Sequence, residues 1–215
     1  MESVLNFVMN SAEVRGWHSG TAISVIINLL TLNQAWATAG QARRIFRTRS
    51  GLGVSVITMT FYAFYFPAFM LYGIHKGALN MVLNASQFII YIPLLFGLWK
   101  FGDVHTKRTM RFCVPAFALL PLIMYIVTWK ETFLLILFAG ILLTILLMLK
   151  ELRNIQGTGS FEIKFAIAFL VNALFWFLYG MSLRDIPLLI FNPLAAILLS
   201  MVIVLYMKKR RTISI

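Results

Sequence analysis

The stretch Trp176-Phe-Leu-Tyr179-Gly180-Met-Ser-Leu-Arg184-Asp185-Ile-Pro187-Leu-Leu-Ile-Phe-Asn192 reads as the end of one apolar helix, a short charged turn and the start of the next. The same succession occurs earlier in the chain: Phe69, then Tyr72-Gly73, then an apolar run ending at Asn84. The aromatic precedes the Tyr-Gly pair by three residues in both copies, and the Asn follows the aromatic by 15 residues in the first and 16 in the second. Upstream, Tyr65 of the first copy corresponds to Asn172 of the second. Self-similarity on this scale marks a duplicated structural unit, so the fold is to be read as two copies of one helical module.

Outward from these stretches the chain alternates apolar runs with short charged clusters. Its 215 residues are 60% hydrophobic and 12% charged, more apolar surface than a soluble domain of this size can hide. About 20 apolar residues cross a hydrocarbon layer of roughly 30 Å. The runs give seven predicted spans, at 19–40, 54–76, 78–100, 109–128, 132–150, 161–183 and 186–207. The fold class expected is therefore an all-α membrane protein of seven transmembrane helices. A three-helix repeat (19–100) and a second one (131–207) are joined by a linker helix (101–130), in a 3+1+3 order. Residues 1–18 lack a basic start followed by an apolar block and are expected to be an exposed tail; 208–215 form a basic tail.

The net charge of +12 is distributed by side. Arg43, Arg44, Arg47 and Arg49, then Lys100, Lys107, Arg108 and Arg111, then Lys150, Arg153 and Lys164, then Lys208, Lys209, Arg210 and Arg211 all fall on one side of the predicted spans. Arg15, Lys76, Lys130 and Arg184 fall on the other. Fifteen basic residues against four place the N-terminus outside and the C-terminus in the cytosol, in a plasma membrane. This pattern calls for a bilayer as partner and for no nucleic acid. Both copies then enter the membrane from the same side, as parallel repeats do, with matching residues facing across a central axis.

Asn84, Asn172 and Asn192 lie in otherwise apolar spans, where an unsatisfied amide is costly. By helical rise, Phe69, Asn84, Trp176 and Asn192 fall about 10 Å from the outer helix ends. Asn172 sits one turn deeper than Trp176 on the same face. A single Asn is commonly glue between helices. A repeated Asn with a repeated aromatic at one depth reads better as a binding site: amides donate and accept toward hydroxyls, and a ring covers a C–H face. Asn28, Asn33, Gln34 and Gln87 are candidates to line the path or bond between helices, with Asn33 and Gln34 read first as structural. The aromatic-rich second span reads as packing and not as a cofactor box. His18, His75 and His105 lack ligand spacing, and the lone Cys113 excludes a cysteine metal cluster.

All seven acidic residues (Glu2, Glu13, Asp103, Glu131, Glu151, Glu162 and Asp185) lie in tails, loops or helix ends. Ion-coupled carriers and cation sites place carboxylates inside the membrane, so the core favours a neutral polar solute moving down its gradient. No buried nucleophile, base or metal cluster points to an enzyme. A retinal receptor would need a Lys between Asp185 and Met207, and none is there.

The segment from Gln41 to Ser55 resembles the PQ-loop signature of the SWEET/MtN3 sugar transporters, and the stretch from Trp176 to Asn192 is similar to one shared by SWEETs and their half-sized relatives. The resemblance covers roughly 19–207. It implies a facilitative (uniport) carrier of a mono- or disaccharide that works by alternating access, without a cofactor. Trp176, Asn192 and Asn84 would line its pocket; with Phe69, Asn172 and Tyr65 they form the expected substrate-binding set. The chain departs from the pattern in reading Gly40-Gln41 and Leu147-Met148 at the PQ positions, in lacking the hinge prolines near the cytoplasmic helix ends, and in carrying Phe69 where Trp is common. Another neutral cargo (vitamin, nucleoside or amino acid) and, further off, a seven-helix receptor are the alternatives. The sequence leaves the oligomeric state open, a homo-oligomer included.

Overall fold

A computed structural model describes residues 19–77, 79–183 and 186–213, with the side chains of 19–24, 182–183 and 211–213 left aside. The expected tail 1–18, with Arg15 and His18, and the turn residues Arg184 and Asp185 lie outside the described residues. The rest is helical, with no strand among the described residues. The helices are α1 (Ser19–Thr48), α2 (Val56–His75), α3 (Leu79–Ala85), α4 (Phe88–Phe101), α5 (Val104–Ile126), α6 (Lys130–Asn154), α7 (Ile163–Leu183) and α8 (Ile186–Ile213).

Helices α3 and α4 run on as one 23-residue span broken by a turn at Ser86–Gln87. Counted so, the described residues form seven helices, of which six are long and apolar enough to cross a membrane; α1 is the exception. Its length of 30 residues suffices, but Asn28, Thr31, Gln34, Thr38 and Gln41 dilute its hydropathy. Those five recur every three or four residues and so share one face. That face is turned into the protein: Thr31, Gln34, Thr38 and Gln41 are all buried. The helix is thus polar inside, and its exposed side carries Leu29, Leu32 and Trp36.

Local chemistry sets several boundaries. Ser55 caps α2 by accepting from Thr58 N, and Asp103 caps α5 by accepting from Thr106 N at 2.7 Å. That bond holds the Asp103 carboxyl below its ordinary value. Helix α5 begins five residues before the predicted 109, and α8 continues through Lys208, Lys209 and Arg210, where a tail was expected. Lys209 Nζ donates to Arg153 O at 2.9 Å and to Ile155 O, which ties α8 to the end of α6. Cations at the last carbonyls of a helix satisfy orphan acceptors and complement the helix dipole.

Helix α4 packs on both α1 and α2, and α8 packs on both α6 and α7; α1 also lies along α7 and α2 along α6. Helix α5 rests on α2, with light contact to α4.

Two glycines account for the Tyr-Gly pairs. A Cβ on Gly73 would stand 2.8 Å from Met81 Cβ, and one on Gly180 would stand 2.7 Å from Leu188 Cβ. Each Gly therefore lets the next helix fold back against its predecessor, eight residues on in both cases. The approach sets the depth at which Asn84 and Asn192 enter the interior.

Candidate functional site

A cavity of about 90 Å³ lies among α1, α2, α3, α6, α7 and α8. All six residues of the expected substrate-binding set line it: Tyr65, Phe69, Asn84, Asn172, Trp176 and Asn192. Among the described residues its walls carry no charged side chain. The described carboxylates Asp103, Glu131, Glu151 and Glu162 sit at helix ends or beside them. Carbon dominates the lining, with amides at a few points, the usual make-up of a small-molecule site.

The rings come from both copies. Phe61, Tyr65 and Phe69 stack along α2, with centroids 6.0 and 5.5 Å apart. Phe69 meets Trp176 of α7 edge to face at 6.1 Å, so the two matching aromatics touch each other.

The amides are held differently. Asn84 Nδ2 donates to Thr31 Oγ1 at 2.8 Å, and Thr31 Oγ1 donates to Ile27 O at 2.9 Å. Asn192 Nδ2 donates to Leu188 O of its own helix at 2.9 Å, which leaves its oxygen for another partner. Asn172 Nδ2 donates to Gln34 Oε1, which also accepts from Gln87 Nε2 at 3.2 Å. Gln87 Nε2 further donates to Asn84 O at 3.0 Å, beside the break between α3 and α4. The buried Asn172 Oδ1 and Gln87 Oε1 have no hydrogen-bond partner among the described residues. An orphaned buried acceptor costs about 1–3 kcal/mol; of the two residues only Asn172 lines the cavity, where a hydroxyl or amide donor would recover that cost.

Gln34, read from sequence as structural, bonds helices of both copies and also lines the cavity. The three-to-four spacing of polar residues along α1 was the signal for it. Asn33 is exposed, on the other side of that helix. Asn28 bonds to Asn80 Oδ1 at 3.0 Å, nearer the outer end of α1, and does not line the cavity.

The cavity is bridged on both sides. Toward the face of the basic clusters, Gln41 Nε2 donates to Ser160 O at 2.8 Å and Gln41 Oε1 accepts from Glu162 N at 2.7 Å. Arg44 pairs with Glu162 at 3.4 Å and donates to Gly159 O at 3.0 Å. Ser160 N donates to Leu52 O at 2.7 Å. The two loops meet on glycine: Gly53 has φ +82°, and a Cβ there would strike Ile155 Cδ1 at 2.4 Å. On the opposite face, Asn80 Nδ2 donates to Tyr179 Oη at 3.4 Å, and Lys76 pairs with Glu131.

Compared with protein-family models and with curated proteins, the chain matches none.

Proposed function

We propose that the protein is a facilitative carrier of a small neutral polar solute, a sugar first, working by alternating access. In this reading α1, α2 and α3–α4 form one repeat, α6, α7 and α8 form the other, and α5 is the linker, the 3+1+3 order of the SWEET resemblance. The equivalent packing of α4 and α8, each against both other helices of its unit, supports that grouping. So does the paired use of Gly73 and Gly180. Helix α1 serves as the seventh span because its polar stripe faces the protein and its apolar side faces lipid. The basic clusters put the N-terminus outside and the C-terminus in the cytosol, in the plasma membrane.

The observation that carries the proposal is the uncharged cavity where ring and amide from both copies converge, with Asn172 Oδ1 unpartnered. Hydroxyls of a sugar would donate to Asn172 and Asn192, and its C–H face would lie against Trp176. Among the described residues the cavity has no carboxylate to carry a coupling proton, which favours flux down the solute gradient. Alternating access requires the Gln41–Ser160–Glu162 bonds and the Asn80–Tyr179 contact to open in turn. A cavity of about 90 Å³ ranks a monosaccharide ahead of a disaccharide, and other small neutral cargo (a vitamin, nucleoside or amino acid) next.

Uptake of radiolabelled glucose and sucrose into proteoliposomes, with and without a proton gradient, tests this. Saturable, gradient-independent uptake that is lost in Trp176→Ala supports it. Proton-driven uptake would overturn the uniport reading. Absence of both sugars from the lumen would remove sugar as the cargo and send competition assays to the other neutral solutes.

A further inference from the structure

On the face of the basic clusters a second and larger cavity, of about 470 Å³, opens between α1 and the start of α7. Arg43, Arg44, Arg47 and Lys164 line it with a single carboxylate, Glu162. Arg44 is committed to Glu162 and to Gly159 O. Arg43, Arg47 and Lys164 are exposed, and none has a carboxylate within ion-pair distance among the described residues. Gly40 forms part of the floor, and a Cβ there would meet nothing within 4 Å, so the groove has room beside the helix backbone.

Three surplus cations around a cavity call for an anion with several acceptor oxygens. What lies along the helix from them decides its source. Trp36, 68% exposed, sits at the cavity rim with the Arg43 guanidinium 5.6 Å from its ring centroid. Further along the same side of α1 come Leu32 and Leu29, 68% and 61% exposed. On α7 the residues at helical spacing from Lys164 are Ile167 and Leu174, again exposed and apolar. An apolar track, then an aromatic of the kind found at membrane interfaces, then cations: this is the order of groups in one phospholipid molecule, from acyl chain to phosphate.

We propose that this groove is a binding site for an anionic phospholipid, with its phosphate on Arg43, Arg47 and Lys164 and an acyl chain along Leu32 and Leu29. A free phosphate shares the headgroup chemistry but uses none of the apolar track. The site touches α1 and α7 at once, beside the Arg44–Glu162 pair, so an occupant would add to the contacts between the two units on this face. It does not depend on what the central cavity carries.

The test uses the full chain in phosphatidylcholine nanodiscs with phosphatidylglycerol added, reading retained lipid by native mass spectrometry. The triple variant Arg43→Gln/Arg47→Gln/Lys164→Gln should lose phosphatidylglycerol by at least about tenfold. Lys107→Gln/Arg108→Gln/Arg111→Gln, which removes three cations elsewhere on the same face, should stay within about twofold of the parent. Equal loss in both variants, or loss in neither, overturns the site. Displacement of the lipid by millimolar inorganic phosphate would overturn the lipid assignment in favour of a soluble anion. A second measurement does not need the triple variant to fold: phosphatidylglycerol brominated on its acyl chains should quench the intact chain more than brominated phosphatidylcholine does. That excess should vanish in Trp36→Phe, and its persistence there would sink the proposal.

Discussion

The two walls of the central cavity use the same plan with different side chains. On α2 the position one turn below the aromatic is Tyr65, whose ring continues a stack from Phe61 to Phe69. On α7 the matching position is Asn172, whose oxygen has no partner among the described residues. Asn84 spends its amide on Thr31 of α1 and is buried, whereas Asn192 bonds back to its own helix and is only half-buried. The helix bearing Asn84 breaks at Ser86–Gln87, and the one bearing Asn192 runs on to Ile213. The α2 wall is thus aromatic, and the α7 and α8 wall presents Asn172 and Asn192 to the cavity. In the proposed carrier, hydrogen bonding to solute would fall to Asn172 and Asn192, while Gln34 and Thr31 of α1 hold Asn172 and Asn84.

The largest test removes the shared ring contact. Trp176→Ala and Phe69→Ala should each lower folding stability by about 3–5 kcal/mol, read as melting temperature in detergent. If the walls are unequal as described, Trp176→Phe restores stability without restoring uptake, while Phe69→Trp keeps both. The reverse result would move the solute to the α2 wall.

Next come the glycines. Gly73→Ala and Gly180→Ala both force a Cβ into a neighbour's Cβ and should each cost about 1–3 kcal/mol. A similar shift in both melts marks the hairpins as equivalent; loss at only one would break the duplication as a structural principle.

The amides separate stability from transport. Asn84→Ala removes the Asn84–Thr31 hydrogen bond and should cost about 0.5–1.5 kcal/mol of stability. Asn192→Ala should leave the melt nearly unchanged and raise the half-saturating solute concentration by up to about tenfold, the value of one hydrogen bond. Uptake through Asn192→Ala equal to the parent's would end the ligand role of that residue.

The smallest effect is a control outside both walls. Asp103→Ala removes the α5 cap and should lower stability by about 1 kcal/mol with uptake unchanged. Because the folded-state carboxyl titrates below its ordinary value, the cap's contribution is present above that ordinary value. It is lost as pH falls through the lowered one. A melt that weakens on acidification in the parent but less in Asp103→Ala would show it.

Much of this was legible because it is carried by spacing. The Tyr-Gly pairs and their Asn residues needed only counting, and counting put six residues around one cavity. What escaped was carried by contact. Gln34 looked structural because its partners, Gln87 and Asn172, are distant in sequence and share its single oxygen. The stripe on α1 lowered its hydropathy and hid the reason, since a polar face turned inward and one turned outward score alike. The break at Ser86–Gln87 has no proline or glycine at the site to announce it. Lys209 reads as one more tail cation until α6 ends beside it.

Helix α5 has only 11% of its span buried and leans on α2. It also bears Cys113, the single cysteine of the chain, half-buried on that helix. The chain thus comes with one thiol for a spectroscopic label, on a helix that packs against α2 and contributes none of the described cavity lining. With one further substitution to carry a second label on α7, a probe there would report whether α2 moves relative to α7, as the proposed alternating access requires.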